Sequence, residues 1–179
     1  MNGINLETYT NDINWRVRYA AAVAMGESHD KKWLTSLEEM FVNESKLPLY
    51  TQPPVHFPGK PEDATRLSEH IGPITVVFDQ YYDEETKEAW RCRGRVKQAI
   101  LYAVYEIGHV HDEFLDKIHN CLEEIKDDYC VVAAAARALG RIGNDKSLRC
   151  LENALSIDEW CTVTEAKKAK QSLHIYTQG

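Results

Sequence analysis

Four basic residues, Arg91, Arg93, Arg95 and Lys97, stand two apart in a chain of 179 residues whose 28 acids outnumber its 21 Lys and Arg, for a formal charge of -7. Such a run has the composition that neutralises phosphate oxygens. On a helix, however, Arg91 and Arg95 fall on one flank of the Cys92, Val96, Ile100 stripe, while Arg93 and Lys97 fall on the other. The run therefore splits and makes no single phosphate-tracking face. Pairing within the helix, Glu88 with Arg91 for example, is the alternative to anion binding, and the acidic balance of the whole chain argues against nucleic acid.

His109, His111 and Asp112 gather three residues of metal-ligand type in one turn. Two imidazoles two residues apart reach one ion only from an extended backbone, and the sequence identifies no third ligand to join them. A solvated turn, with Asp112 capping the helix that follows, explains them better. Phe78, Tyr81, Tyr82 and Trp90 concentrate aromatic area in a short span. That span either contacts a peptide or flat ligand or seals the segment onto its own scaffold. The five cysteines, at 92, 121, 130, 150 and 161, are odd in number and contain no Cys-x-x-Cys pair, so free thiols are expected. Without a Gly-rich phosphate loop, a dinucleotide fingerprint or a recognisable Ser-His-Asp or Cys-His context, no catalytic residue, metal or cofactor is expected.

These residues must be positioned by helices, because one apolar pattern occurs three times. Counting from Val17, Val96 and Val131, positions four, seven and eight later are Ala21, Ala24, Met25; Ile100, Ala103, Val104; and Ala135, Ala138, Leu139. Such offsets fall on one face of a helix. After a polar or Gly-containing break, a second stripe follows each time: Leu34, Leu37, Met40, Phe41; Leu115, Ile118, Cys121, Leu122; and Leu148, Leu151, Ala154, Leu155. The origin valine precedes the first of these leucines by 17 residues in the outer units and 19 in the middle one, so the turn at Gly108 to Asp112 is two residues longer. A helix pair with apolar residues on several sides cannot bury them alone. Stacking consecutive pairs does, which predicts an α-solenoid.

The segment Val131-Val132-Ala133-Ala134-Ala135-Ala136-Arg137-Ala138-Leu139-Gly140-Arg141-Ile142-Gly143-Asn144-Asp145, with Leu148 and Leu151 beyond it, resembles a HEAT repeat of the phycobilisome-lyase type. Trp15 to Gly26 is similar to the first helix of the same unit. The resemblance covers residues 12–42 and 91–156, and departs from the pattern where Glu27-Ser28-His29 replaces Arg141-Ile142-Gly143. It implies fold more than activity. Relatives of this repeat handle bilin-bearing proteins, and some HEAT-like proteins are DNA glycosylases with a basic face. HEAT-like deoxyhypusine hydroxylases hold iron on His-Glu dipeptides, of which this chain has none.

The array is interrupted. Val96 and Val131 are 35 residues apart, whereas Val17 and Val96 are 79 apart. All six prolines, at 48, 53, 54, 58, 61 and 73, fall in the interval, with nine acids against four bases between residues 44 and 89. Prolines at that density break helices. The expectation is an irregular loop from Asn43 to Pro61, a short helix over residues 62–70, and an extended stretch over 73–78; a degenerate fourth repeat is the alternative. Asp83 can cap a long middle helix running from Glu84 to Ile107, and Asp158 a last helix from Glu159 toward His174. Trp15, Trp33 and Trp160, near helix starts, are read as packing residues.

The fold class expected is thus all-α: a HEAT-like α-solenoid of three helix pairs (12–42, 91–126, 127–156), with an insertion at 43–90 and a capping helix at 158–174. The function expected is a non-catalytic scaffold that binds a protein partner. Its second helices offer Glu38, Lys117, Asn120, Glu124, Arg149 and Asn153, and its edge offers Arg91, Arg93, Arg95, Tyr81 and Tyr82. The alternative is a ligand-handling or bilin-lyase-like role, and more remotely DNA binding. No stretch approaches the roughly 18 apolar residues of a membrane span, and the first residues lack the basic end and apolar middle of a signal peptide. A cytoplasmic monomer is expected.

Overall fold

The computed structural model describes residues 5–47, 92, 94–124 and 127–177, with side chains excepted at 174–177. Tyr81, Tyr82, Arg91 and Arg93 lie outside the described residues, as do Phe78, Trp90, all six prolines and the elements expected between residues 48 and 90. Among the described residues there is no strand. The described residues form seven α-helices: α1 (Trp15–Glu27), α2 (Leu34–Ser45), α3 (Arg95–Ile107), α4 (Asp112–Glu124), α5 (Tyr129–Ile142), α6 (Asp145–Ala154) and α7 (Trp160–Thr177). Short 3-10 turns at Leu6–Tyr9 and Lys31–Trp33 precede α1 and α2.

Local chemistry starts these helices. The Asn14 side chain accepts a hydrogen bond from the Arg16 amide at 3.0 Å, and Asp30 accepts one from the Lys32 amide at 3.0 Å. At α6, Asn144 accepts from the Lys146 amide while the Ser147 hydroxyl accepts from the Asn144 amide at 2.9 Å, closing a capping box. Gly94 and Gly108 flank α3 in the left-handed region, at φ 72° and 69°, where a side chain is strained.

The helices form two layers. In one, α1 packs on α3, α3 on α5, and α5 on α7; in the other, α2 lies against α3, α4 against α5 and α6, and α6 against α7. Missing side chains make the first layer tight. A Cβ at Gly26 would stand 2.6 Å from the Cα of Ala103, and one at Gly140 would stand 2.7 Å from the Cα of Ala169. Those contacts tolerate hydrogen only. The two repeat stripes fill the space between layers: Val96 and Val131 are 1% and 0% exposed, and Leu37, Met40, Ile118, Leu122 and Leu151 are fully buried. Phe41 of α2 meets Phe114 of α4 with ring centroids 5.6 Å apart.

Several expectations fail for identifiable reasons. Val17 is only half-buried: among the described residues α1 has α3 on one side and chiefly the turn at residues 6–9 on the other. Gly94 is left-handed, so no continuous helix runs from 84 to 107 and α3 begins at Arg95. Helix α2 continues through Ser45, placing Asn43 inside it rather than in a loop. Asp112 is the first residue of α4, and the carbonyl ahead of it, that of His111, accepts from the amides of Phe114 and Leu115 at 3.1 and 3.0 Å. The last helix is capped not by Asp158 but by Glu159, whose carboxylate accepts from the Cys161 and Thr162 amides at 2.9 and 2.7 Å. Burial pushes that carboxyl up, yet the two amides hold it below its ordinary range. Trp33 is buried and Trp15 packs on the core, but Trp160 is 78% exposed.

Candidate functional site

Three of the residues singled out from sequence, Lys117, Asn120 and Glu124, lie along one side of α4 and form a wall of a cleft of about 460 Å³. Their spacing of three and four puts them on one helical face. Phe41 and Ser45 of α2 make the opposite wall. At the base the Lys97 ammonium donates to both carboxylate oxygens of Asp127, at 2.7 and 2.8 Å, and sits 4.9 Å from the centroid of the Phe41 ring. Lys97 is only 4% exposed. A cation so desolvated is held by its partner carboxylate and by the ring face together.

Cys121 completes the floor. Its thiol donates weakly to the Lys117 carbonyl and lies 3.9 Å from the nearer Asp127 oxygen. Burial, reinforced by the Asp127 charge, pushes this thiol up to about 12. It stays protonated at neutral pH and is a packing group, not a nucleophile. The cleft can therefore hold an apolar group with polar edges, and among the described residues its thiol is not an activated nucleophile.

Ion pairs brace the layer around it. Glu38 of α2 accepts from Lys117 at 2.6 Å and pairs with His111 at 3.2 Å. Asp116 of α4 accepts from Lys146 of α6 at 2.8 Å, and Glu152 of α6 accepts from Lys170 of α7 at 2.8 Å. The Lys146 partner holds the Asp116 carboxyl below its usual range. Each rung joins neighbouring helices, but at this exposure each contributes little alone. Arg18 of α1 is likewise hydrogen-bonded to the buried Glu44 of α2.

A serine, a histidine and an aspartate do converge between α4 and α6. The Ser147 hydroxyl lies 2.7 Å from His119 Nε2, and His119 Nδ1 lies 3.7 Å from Asp116. The types match a hydrolytic triad, but the setting does not: Ser147 is fully buried and its oxygen already accepts from the Asn144 amide. Burial, with the Lys146 charge nearby, pushes His119 below its ordinary value. The Ser147–His119 hydrogen bond instead ties α4 to the cap of α6.

Of the remaining sequence candidates, Arg149 and Asn153 are exposed on α6, away from the cleft. Glu38 and Lys117 meet each other rather than standing open. Arg95 is exposed and donates to Gln98 at 3.3 Å. His109 is exposed while His111 is engaged by Glu38, and among the described residues no group of three His, Cys, Asp or Glu could hold a metal ion. All described cysteines are free. The Lys97–Asp127 pair is buried, whereas the basic run places Lys97 on a flank. Its spacing of four and seven from Leu101 and Val104 would have placed it on the buried face. His119, four residues after Leu115 and three before Leu122, carried the same signal.

Among the described residues no helix is long and apolar enough to cross a membrane. Compared with protein-family models, with curated proteins and with solved structures, the chain matches none.

Proposed function

We propose that the chain is a short HEAT-like α-solenoid acting as a non-catalytic scaffold, and that it takes a partner protein on the surface made by α2, α4 and α6. The observation that carries this reading is the division of labour along that layer. Its apolar stripes face the other layer, its ion pairs join helix to helix, and Asn120, Glu124, Arg149 and Asn153 are left on the outside. A braced surface loses little freedom when a partner settles on it. Successive helix pairs, each covered by the next, provide such a surface in repeat proteins. In that frame α7 is more than a lid: Thr162, Ala166, Ala169 and Leu173 are buried at helical spacing, so α7 packs as the first helix of a further unit would.

Affinity capture from the native cell tests the reading, using the full chain, an N120R/N153R variant and an E27K control at an exposed position of α1. Expected is one partner retained by the full chain and the control and lost by N120R/N153R, with circular dichroism unchanged. Capture indifferent to N120R/N153R sinks it. A spectral shift on titration with a bilin would instead favour ligand handling.

A further inference from the structure

The opposite layer carries a second built surface. Where the outer units have Gly26 and Gly140, nine residues after their origin valines, the middle unit has Tyr105. Helix α3 thus presents an aromatic ring to α5 at this position. Arg137 and Arg141, one turn apart on α5, both lie over that ring, their guanidinium carbons 4.8 and 5.2 Å from its centroid. Arg137 also lies 5.5 Å from the centroid of the exposed Tyr102. Arg141 is pressed against Gly108, where a Cβ would come 2.9 Å from its Nε. A cavity of about 490 Å³ opens beside them, with Gly140 and α7 forming its far side, a volume in the range of ligand sites.

In a chain with seven more acids than bases, an arginine finds a carboxylate easily. Among the described residues neither Arg137 nor Arg141 makes a salt bridge, and the cavity's one acid, Glu165, is matched by Lys168 at 2.8 Å. Two guanidiniums over one ring offer forked N–H donors side by side, and their summed charge balances that of a dianion. We propose that this cavity binds a phosphate monoester borne on a side chain of a partner protein. Two arginines are too few to track a nucleic-acid backbone, and a membrane surface calls for a broader basic cluster of roughly 4–8 residues. The surface is separate from that of α2, α4 and α6, so either assignment can fail without the other.

The test is an amide and arginine Nε–H NMR titration of the full chain with the peptide Gly-Gly-pSer-Gly-Gly. Parallel arms use the unphosphorylated peptide, a Gly-Gly-Glu-Gly-Gly peptide and free O-phosphoserine. Expected are shifts at Gly140 and at the Arg137 and Arg141 side chains, weakened about tenfold or more in R137Q/R141Q and in R137K/R141K, since lysine keeps the charge but not the fork or the stack. Y105F, which keeps the ring, should bind as the parent does. No shift at about 10 mM phosphopeptide, or equal affinity in R137Q/R141Q, overturns the site. Equal binding of the glutamate peptide overturns the phosphate assignment, and equal binding of free O-phosphoserine overturns the protein source.

Discussion

Replacing Lys97 by methionine should cost far more than removing a surface charge. The ammonium is 4% exposed and donates to both Asp127 oxygens, and the Asp127 side chain is 14% exposed. Methionine fills most of the space but leaves the carboxylate largely buried without its cation. Breaking a buried pair this way costs about 3–5 kcal/mol, and the residual solvent contact of Asp127 places the loss near the lower end, about 3 kcal/mol. For a chain of this size each kcal/mol lowers Tm by roughly 2–4 °C, so a drop of about 6–12 °C is expected. The double variant K97M/D127L removes both charges and should recover to within about 1 kcal/mol of the parent. Urea unfolding followed by far-UV circular dichroism on the four proteins of the cycle measures this, with the denaturant slope as a check that the native state is unchanged. If K97M costs less than about 1 kcal/mol, or the two single losses simply add, the pair is not the strut of the cleft.

Gly140→Val and Gly26→Val should each destabilise by about 2 kcal/mol or more, because the new side chain meets the backbone of Ala169 or Ala103; thermal melts equal to the parent would show that the layer can spread. A thiol titration with an aromatic disulfide at mildly alkaline pH should label exposed Cys161 first and reach buried Cys121 and Cys150, pushed up to about 12 and about 11, only on unfolding. Mass spectrometry of the labelled peptides decides it. His119 is held below its ordinary 6.5 by burial, so the unfolded chain binds the extra proton first. Its contribution to stability is complete above about pH 6.5 and lost as pH falls through the lower folded value. Denaturation midpoints of the parent should decline between about pH 7 and 5 more steeply than those of H119Q, and parallel curves would refute that.

Several features were legible in the residues because they depend on local periodicity. The offsets of four, seven and eight from Val96 and Val131 mark faces that are buried, and the 3-6-7 steps after Leu34 and Leu115 mark the stripes opposed to them. Lys117, Asn120 and Glu124 were readable as one face of a helix for the same reason. The partners of those residues were not readable. Glu38 and Lys117 both looked open on their separate helices, and only the packing of α2 beside α4 brings them to 2.6 Å. Val17 repeats the pattern of Val96 and Val131, yet it is half-exposed, because burial depends on having a neighbour on that side.

The sequence by itself determined that this chain is helical and which side of each helix is apolar, since a side chain's direction along a helix follows from its number alone. Tertiary structure decided which charges were buried together, Lys97 with Asp127, and which arginines stack on Tyr105. It also separated the hydroxyl that caps a helix from one that could attack a substrate. These outcomes depend on distances of a few ångströms between helices remote in sequence, and a periodic pattern carries no information about such distances.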